Sequence, residues 1–179
     1  MRKLQLIPLI LMVLALPALM AAQELTIYET SLYSISYPSA WDDTANVADT
    51  GDFFSLTNPS LGIIPLSVMV GIDDLNEDDQ KLSLKAFAER ATDANNAEFV
   101  NAGMSDMIEV VASSSVSING LDAYRIKISV DAGDLVMSMD NYYIRHQDQM
   151  FTIAFMGDDL SLEENKEVLT AIKDSFRFK

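Results

Sequence analysis

The chain has 179 residues, contains no cysteine and carries a formal net charge of −15 at pH 7. Such a charge is repelled by polyphosphate backbones and anionic lipid surfaces, which argues against nucleic-acid binding and peripheral membrane binding. The lack of cysteine excludes thiol catalysis, disulfide bonds and lipid attachment at a cysteine.

Residues 1–22 have the layout of a secretory signal peptide: a short basic start, an apolar run and small residues before Gln23. The alternative is an uncleaved membrane anchor, because residues 4–22 approach the ~20 residues that span a bilayer. Pro17 favours cleavage, since it ends a helix just before the small residues. We expect residues 23–179 to form a single domain that is secreted or periplasmic, with no stable membrane insertion after leader cleavage.

The exported protein is predicted to begin at Ala22 or Gln23. Loss of Arg2 and Lys3 with the leader changes the net charge from −15 to −17, ignoring termini. Intact-mass measurement of secreted material tests this prediction, and retention of Met1 would contradict it.

Most of the remaining chain has the period-two alternation of half-buried antiparallel strands. The alternation is clear at residues 33–37, 66–72 and 124–130. Asn119 and Gly120 form a two-residue turn of the kind that joins a hairpin. Further strands are predicted at residues 25–29, 53–57, 108–118, 135–145 and 150–155.

Two segments have helical periodicity instead. The first begins at Ser83, and the second follows Ser161, which is placed to form a capping box with Glu164. Their apolar faces are predicted to pack on the sheet. The fold class is therefore α+β, with a central antiparallel β-sheet and flanking helices. The predicted inward-facing residues are Leu84, Phe87, Ala88, Ala91, Val168, Leu169, Ile172 and Phe176.

The stretch YSISYPSAW holds the only tryptophan of the chain, Trp41. Pro38 ends the preceding strand because it cannot donate a ladder hydrogen bond. A ligand-stacking role and a core role are both open to Trp41. Large aromatic side chains are usually buried, so we expect Trp41 to plug the core at the edge of the sheet.

The order of these elements resembles that of the PsbP and Mog superfamily, in particular its small secreted bacterial members. The matching motifs are YSISYPSAW, INGLDAYRI with Asn119 and Gly120, and SFRF near the end of the chain. The resemblance implies an antiparallel sheet with packed helices that serves as a docking module. PsbP is an extrinsic subunit of photosystem II and Mog proteins bind the GTPase Ran, but no partner-contacting residue matches position by position.

Residues for enzyme chemistry are scarce. His146 is the only histidine, at a predicted strand end, and no GxSxG nucleophile motif is present. One histidine and no cysteine also disfavour a zinc site. We therefore expect a protein that is not an enzyme and holds no cofactor.

Carboxylates are abundant and leave calcium binding open as an alternative function, with a carboxylate-based hydrolase behind it. The favoured calcium site is the loop that carries Asp42, Asp43, Asp49 and Asp52. This loop does not fit the EF-hand pattern. We expect a non-catalytic function first and a calcium-dependent binding module second.

Arg125, Lys127 and Ser129 alternate with the apolar residues of one predicted strand. They project to the opposite side of that strand from Tyr124 and Ile126. Basic groups on an acidic protein attract a partner by charge complementarity. These three residues belong to a wider polar face that includes Ser34, Ser36, Ser67 and Thr152, and this face is either an ordinary solvated surface or a docking surface. If it is a docking surface, Arg125, Lys127 and Ser129 are the candidate binding site for a protein partner.

Overall fold

The computed structural model describes residues 24–42, 46–101, 107–131 and 133–179, with the side chains of residues 98–100 left out. The predicted leader and Asp43 lie outside these ranges. Within them, no helix is both long and apolar enough to cross a membrane.

The strands occupy nearly all the positions that the alternation predicts. The described chain contains β1 (Leu25–Glu29), β2 (Tyr33–Pro38), β3 (Asn46–Asp49), β4 (Phe53–Asn58), β5 (Leu66–Asp74), β6 (Ile108–Ile118), β7 (Leu121–Asp131), β8 (Val136–His146), β9 (Gln149–Asp158) and β10 (Arg177–Phe178). Asn119 and Gly120 have positive φ angles of 52° and 82° in the turn between β6 and β7. This confirms the predicted hairpin.

The strands form two antiparallel sheets rather than one. In the described part of the chain, the larger sheet has the order β3-β4-β5-β9-β8-β7-β6, and the smaller sheet has the order β1-β2-β10. The smaller sheet therefore joins strands from near both ends of the chain. The last strand pairs with β2 through Arg177 opposite Ser34 and Phe178 opposite Tyr33.

Four helices complete the described fold: α1 (Glu77–Lys81), α2 (Leu84–Asn101), α3 (Asp159–Glu164) and α4 (Lys166–Ser175). Helix α2 packs on one face of the larger sheet, where Phe87 meets Tyr124 and Tyr143 in one apolar cluster. The opposite face carries a second cluster, in which Leu169 and Ile172 of α4 join residues of β2, β4, β5 and β9. The larger sheet thus lies between two layers, and the α+β architecture is confirmed.

Trp41 lies in the second cluster with 6% of its surface exposed. It follows β2 in a short 3-10 turn, Ser39–Trp41. Tyr33, Ile35 and Tyr37 are buried in the same cluster. The prediction of a core plug is confirmed, and the aromatic stretch is a structural element.

The predicted capping box at Ser161 is wrong. The cap of α3 is Asp158, whose side chain accepts a hydrogen bond from the backbone N–H of Ser161, the third residue of the helix. The helical segment is also divided at Asn165, which separates α3 from α4. A carboxylate at the cap complements the positive end of a helix as a serine does, so local sequence alone did not distinguish the two.

Candidate functional site: a groove between the sheet and the C-terminal helices

A groove of about 320 Å³ lies between β7, β8 and β9 on one side and α3 and α4 on the other. Its volume falls within the range of small-molecule and side-chain pockets. The groove has an apolar floor and a charged rim. Its lining residues are Arg125, Lys127, Asp140, Tyr142, Phe155, Asp159, Leu162, Glu163, Lys166, Leu169, Thr170 and Lys173.

The groove is lined by a large share of the lysine and arginine residues of this acidic chain. The chain has twelve lysine and arginine residues, two of them in the predicted leader. Four of the remaining ten line this groove: Arg125, Lys127, Lys166 and Lys173. Three carboxylates, those of Asp140, Asp159 and Glu163, accompany them. The groove is therefore close to neutral on a strongly acidic protein.

Arg125 is held in place by a two-point ion pair with Asp140 on the neighbouring strand. Its Nε and Nη2 atoms donate to the two carboxylate oxygens at 2.6 and 2.9 Å, and the Tyr142 hydroxyl donates to the same carboxylate at 3.0 Å. The Asp140 hydrogen bond raises the pKa of Arg125. Because the side chain of Asp140 is only 16% exposed, this pair is a fixed part of the groove lining.

Lys127 makes a looser contact. Its Nζ atom lies 3.3 Å from Oδ1 of Asp159, which also accepts a 2.6 Å hydrogen bond from the Ser138 hydroxyl. The hydrogen bond from Ser138, with a smaller contribution from Lys127, lowers the pKa of Asp159. Asp159 therefore has a second hydrogen-bond donor, Ser138, in addition to Lys127.

Lys166 and Lys173 form the helical wall of the groove. Lys166 Nζ pairs with Glu163 at 3.2 Å, and Lys173 Nζ pairs with Asp174 at 2.7 Å while lying 5.5 Å from the centroid of the Tyr142 ring. The partners Asp159, Glu163 and Asp174 are each more than half exposed. Of the lysines themselves, Lys166 is 68% exposed, whereas Lys127 and Lys173 are 29% and 16% exposed. Exposed ion pairs contribute about 0 to 1 kcal/mol, so the Lys166–Glu163 pair exchanges at little cost.

The structure places the predicted residues of β7 on one face, as the alternation requires. Arg125, Lys127 and Ser129 face the groove side of the sheet, and Ser129 is opposite Ser138 of β8. Ser129 does not line the groove. Tyr142, Lys166 and Lys173 were missed, because only the strand register and the helix packing bring them to Arg125.

The wider polar face does not exist as one surface. Ser34 and Ser36 belong to the smaller sheet. Ser67 is buried on the opposite side of the larger sheet, where its hydroxyl is 3.0 Å from that of Thr57. Thr152 lies on that same opposite side, two residues from the buried Met150. Period-two alternation assigns side chains to the two sides of a strand, but it does not assign strands to sheets.

The proposed calcium loop contains a strand, β3, in place of an open coil. The carboxylate of Asp42 accepts a hydrogen bond from the Thr26 hydroxyl at 2.9 Å, and that of Asp49 accepts one from the backbone N–H of Gly51 at 2.8 Å. The backbone carbonyl of Asp52 accepts a hydrogen bond from Ile72. In the described ranges, no three His, Asp or Glu side chains are grouped so as to hold a metal ion. Calcium binding stays a prediction for calorimetric titration to test.

His146, the only histidine, ends β8 as predicted. Its ring stacks on that of Phe178, with the centroids 4.0 Å apart and the planes inclined by 15°. Phe178 in turn packs on Phe151 and Phe176. The contacts of His146 are those of a packing residue where the two sheets meet.

Asp158 connects the groove helices to the loop between β4 and β5. Its carboxylate accepts hydrogen bonds from the backbone N–H and the hydroxyl of Ser161 at 2.8 and 2.7 Å. It also accepts from the backbone N–H groups of Ile63 and Ile64 at 3.0 and 3.2 Å. These donors, led by the Ser161 N–H, lower the pKa of Asp158 to about 2.

Asp158→Asn is expected to lower stability in a pH-dependent way. The folded pKa lies below the unfolded value of about 3.9, so the carboxylate stabilises the fold above that pH and loses this effect as the pH falls through about 2. The difference in unfolding free energy between wild type and variant should be largest near neutral pH and shrink between about pH 4 and pH 2. Urea denaturation across this range measures it. Exposed Asp122→Asn is the control, and an Asp158→Asn difference that does not change with pH would contradict the assignment.

The fold is shared with two solved structures of different origin. The chain is similar to the cyanobacterial PsbP protein CyanoP from Synechocystis, with a TM-score of 0.64 and 16% identity over 89% of this chain and 95% of that one. It is also similar to the Ran-binding protein Mog1p of Saccharomyces cerevisiae, with a TM-score of 0.58 and 10% identity over 87% and 96%. No protein-family model and no curated protein sequence matches the chain. The molecule has a PsbP/Mog-like fold, as the resemblance implies.

Proposed function

We propose that this protein is a non-catalytic binding or assembly module that acts outside the cytoplasm, and that the groove receives a protein partner. The observation that carries the proposal is that three lysines, each paired with a carboxylate that is more than half exposed, surround an apolar floor. The PsbP/Mog-like fold supports this proposal, because Mog1p is itself a Ran-binding protein. The leader-like N-terminus supports the location.

The groove fits an acidic side chain that is flanked by apolar groups. Lys127, Lys166 and Lys173 approach from the strand and from the helix, so that a carboxylate entering between them gains contacts from both walls. The rings of Tyr142 and Phe155 and the side chain of Leu169 cover the floor. The partner's carboxylate would replace the exposed Asp159, Glu163 and Asp174, whereas Arg125 stays with Asp140.

The experiment compares two double variants as baits for proteins of the native envelope fraction. Lys127→Ser with Lys166→Ser removes two groove cations. Lys81→Ser with Lys179→Ser is the matched control, because it also removes two lysines from ion pairs, those with Asp78 and Glu29, away from the groove. Arg125 is left unchanged, since its removal would leave the poorly exposed carboxylate of Asp140 without its ion-pair partner and impair folding.

We expect at least one protein to be captured equally by wild type and by the control, and its captured amount to fall at least fivefold with the groove variant. Its capture should also weaken between roughly 50 and 500 mM salt, because exposed charges are screened over a shorter distance. Equal capture by the groove variant and the control at low salt would refute a role of the groove. Calorimetry with calcium, and hydrolase assays on the same wild-type protein, test the two alternatives.

A further inference from the structure

In the described chain, strand β6 is an edge of the larger sheet. It has 11 residues, of which 109–115 are all exposed, and in the described chain it pairs only with β7. Glu109 is its only charged residue, and it contains neither lysine nor proline. Charges, prolines and short length are the usual protection of edge strands. The opposite edge, β3, has only four residues and ends at an aspartate.

The register of β6 limits where another strand can pair. Val110 is opposite Ile128 and Ala112 is opposite Lys127, so a bulge occurs at Val111. Pairing is regular from Ala112 to Ile118. Small side chains predominate at the start of this run, with an alanine and three serines at residues 112–115. They leave the backbone of the edge accessible.

A second cleft of about 350 Å³ lies beside this edge, between α2 and β6. It is on the α2 side of the sheet, and therefore on the opposite side of β7 from the groove. Its floor includes Val110 and Ile126, and its rim carries Glu89 and Asp93 of α2. An added strand beside β6 would place alternate side chains over this cleft.

The charges on the rim of the cleft favour a basic side chain as its occupant. Glu89 and Asp93 are four residues apart on α2, a spacing at which like charges repel. Glu89 pairs with Lys85 at 2.7 Å, whereas no cation among the described residues pairs with Asp93. A lysine or arginine lays its aliphatic stem on apolar surface while its charge stays at the rim. The net charge of −15 favours a basic segment further.

We propose that β6 takes up an extended segment of a partner protein as an eighth strand, and that the cleft accepts a lysine or arginine of that segment. Main-chain hydrogen bonds along residues 112–118 would supply affinity, and the acidic rim would supply the preference for a basic side chain. This surface is independent of the groove of the proposed function. A variant of either site leaves the other intact.

The test uses a blocked seven-residue peptide that alternates valine and threonine around a central lysine, and a matched peptide with a central glutamate. We expect the lysine peptide to bind the full protein at least tenfold more tightly in calorimetry. Its binding should slow amide hydrogen exchange within residues 112–118. No binding of the lysine peptide at millimolar concentration, or equal affinity for both peptides, would overturn the proposal.

A second test reverses one charge in the cleft. Asp93→Lys should weaken binding of the lysine peptide at least tenfold and reverse the preference between the two peptides. Glu167→Lys, the same change of charge on exposed α4, should leave both affinities within twofold. An Asp93→Lys protein with unchanged preference would overturn the proposal. So would a concentration-dependent dimer that Ser113→Lys dissociates, since the occupant of β6 would then be a second copy of this chain.

Discussion

Replacement of Trp41 by alanine is expected to lower the free energy of unfolding by about 3 to 5 kcal/mol, the usual cost of emptying a large aromatic site. The indole is 6% exposed and packs in the cluster that joins β2, α4 and the larger sheet. The surrounding side chains cannot easily move into the cavity that the substitution leaves, because this cluster contains residues of both sheets and a helix. Urea denaturation of wild type and variant measures the difference.

The control for Trp41 is Ile63→Ala, which truncates a large apolar side chain that is 84% exposed. Its effect should stay within about 0.5 kcal/mol, as for most surface substitutions. Native Trp41 fluorescence provides a second measurement, since a buried indole emits at shorter wavelength than a solvated one. Long-wavelength emission from the folded protein, or equal losses of stability in the two variants, would contradict burial.

The second large effect is expected for Gly62→Ala in the loop between β4 and β5. Gly62 has a φ of +116°, where a side chain strains the backbone. An added Cβ would also collide with the Ser161 hydroxyl and lie 2.7 Å from Oδ2 of Asp158. These two groups hold the start of α3, so the clash would disturb the hydrogen bonds that join loop and helix. We expect a loss of about 2 to 5 kcal/mol from strain and overpacking together.

Gly51→Ala separates the two causes. Gly51 has a similar φ of +92°, but among the described residues, its chain neighbours aside, no atom lies within 4 Å of an added Cβ. Its substitution should cost only the backbone strain, about 1 to 2 kcal/mol. Chemical denaturation of both variants gives the comparison. If Gly62→Ala cost no more than Gly51→Ala, the close approach of the loop to α3 would be absent in solution.

The fold was predictable where a local pattern carries the information. Alternation located the long strands, helical spacing located α2, and an Asn-Gly turn located the β6–β7 hairpin. Strands β3 and β10 were missed because four and two residues are too few to establish a period. Helix α1 has no buried residue, so it has no apolar face to reveal it. The division into two sheets depends on long-range pairing, which alternation does not encode.

The candidate site was predictable only on its strand side. Arg125 and Lys127 stand out because they alternate with apolar residues. Lys166 and Lys173 have no such signature, since lysines on an exposed helix face are common and their approach to Tyr142 arises from helix packing. The pairing of Arg125 with Asp140 depends on the β7–β8 register, in which Asp140 is opposite Lys127 and Tyr142 is opposite Arg125. The sequence therefore indicated a free cation where the structure has a paired one.

The smaller sheet brings together residues that are far apart in sequence. Tyr33 stacks on Phe176 with ring centroids 5.5 Å apart, and the backbone N–H of Ser36 donates to the Ser175 hydroxyl at 2.8 Å. Contacts between residues so distant in sequence form late and slowly, because a very long loop must close first. During synthesis, Tyr33 is made long before Phe176, its partner in the core. A product that stops short of Phe176 would lack this contact, so we expect the core around Tyr33 to form only after Phe176 has been made.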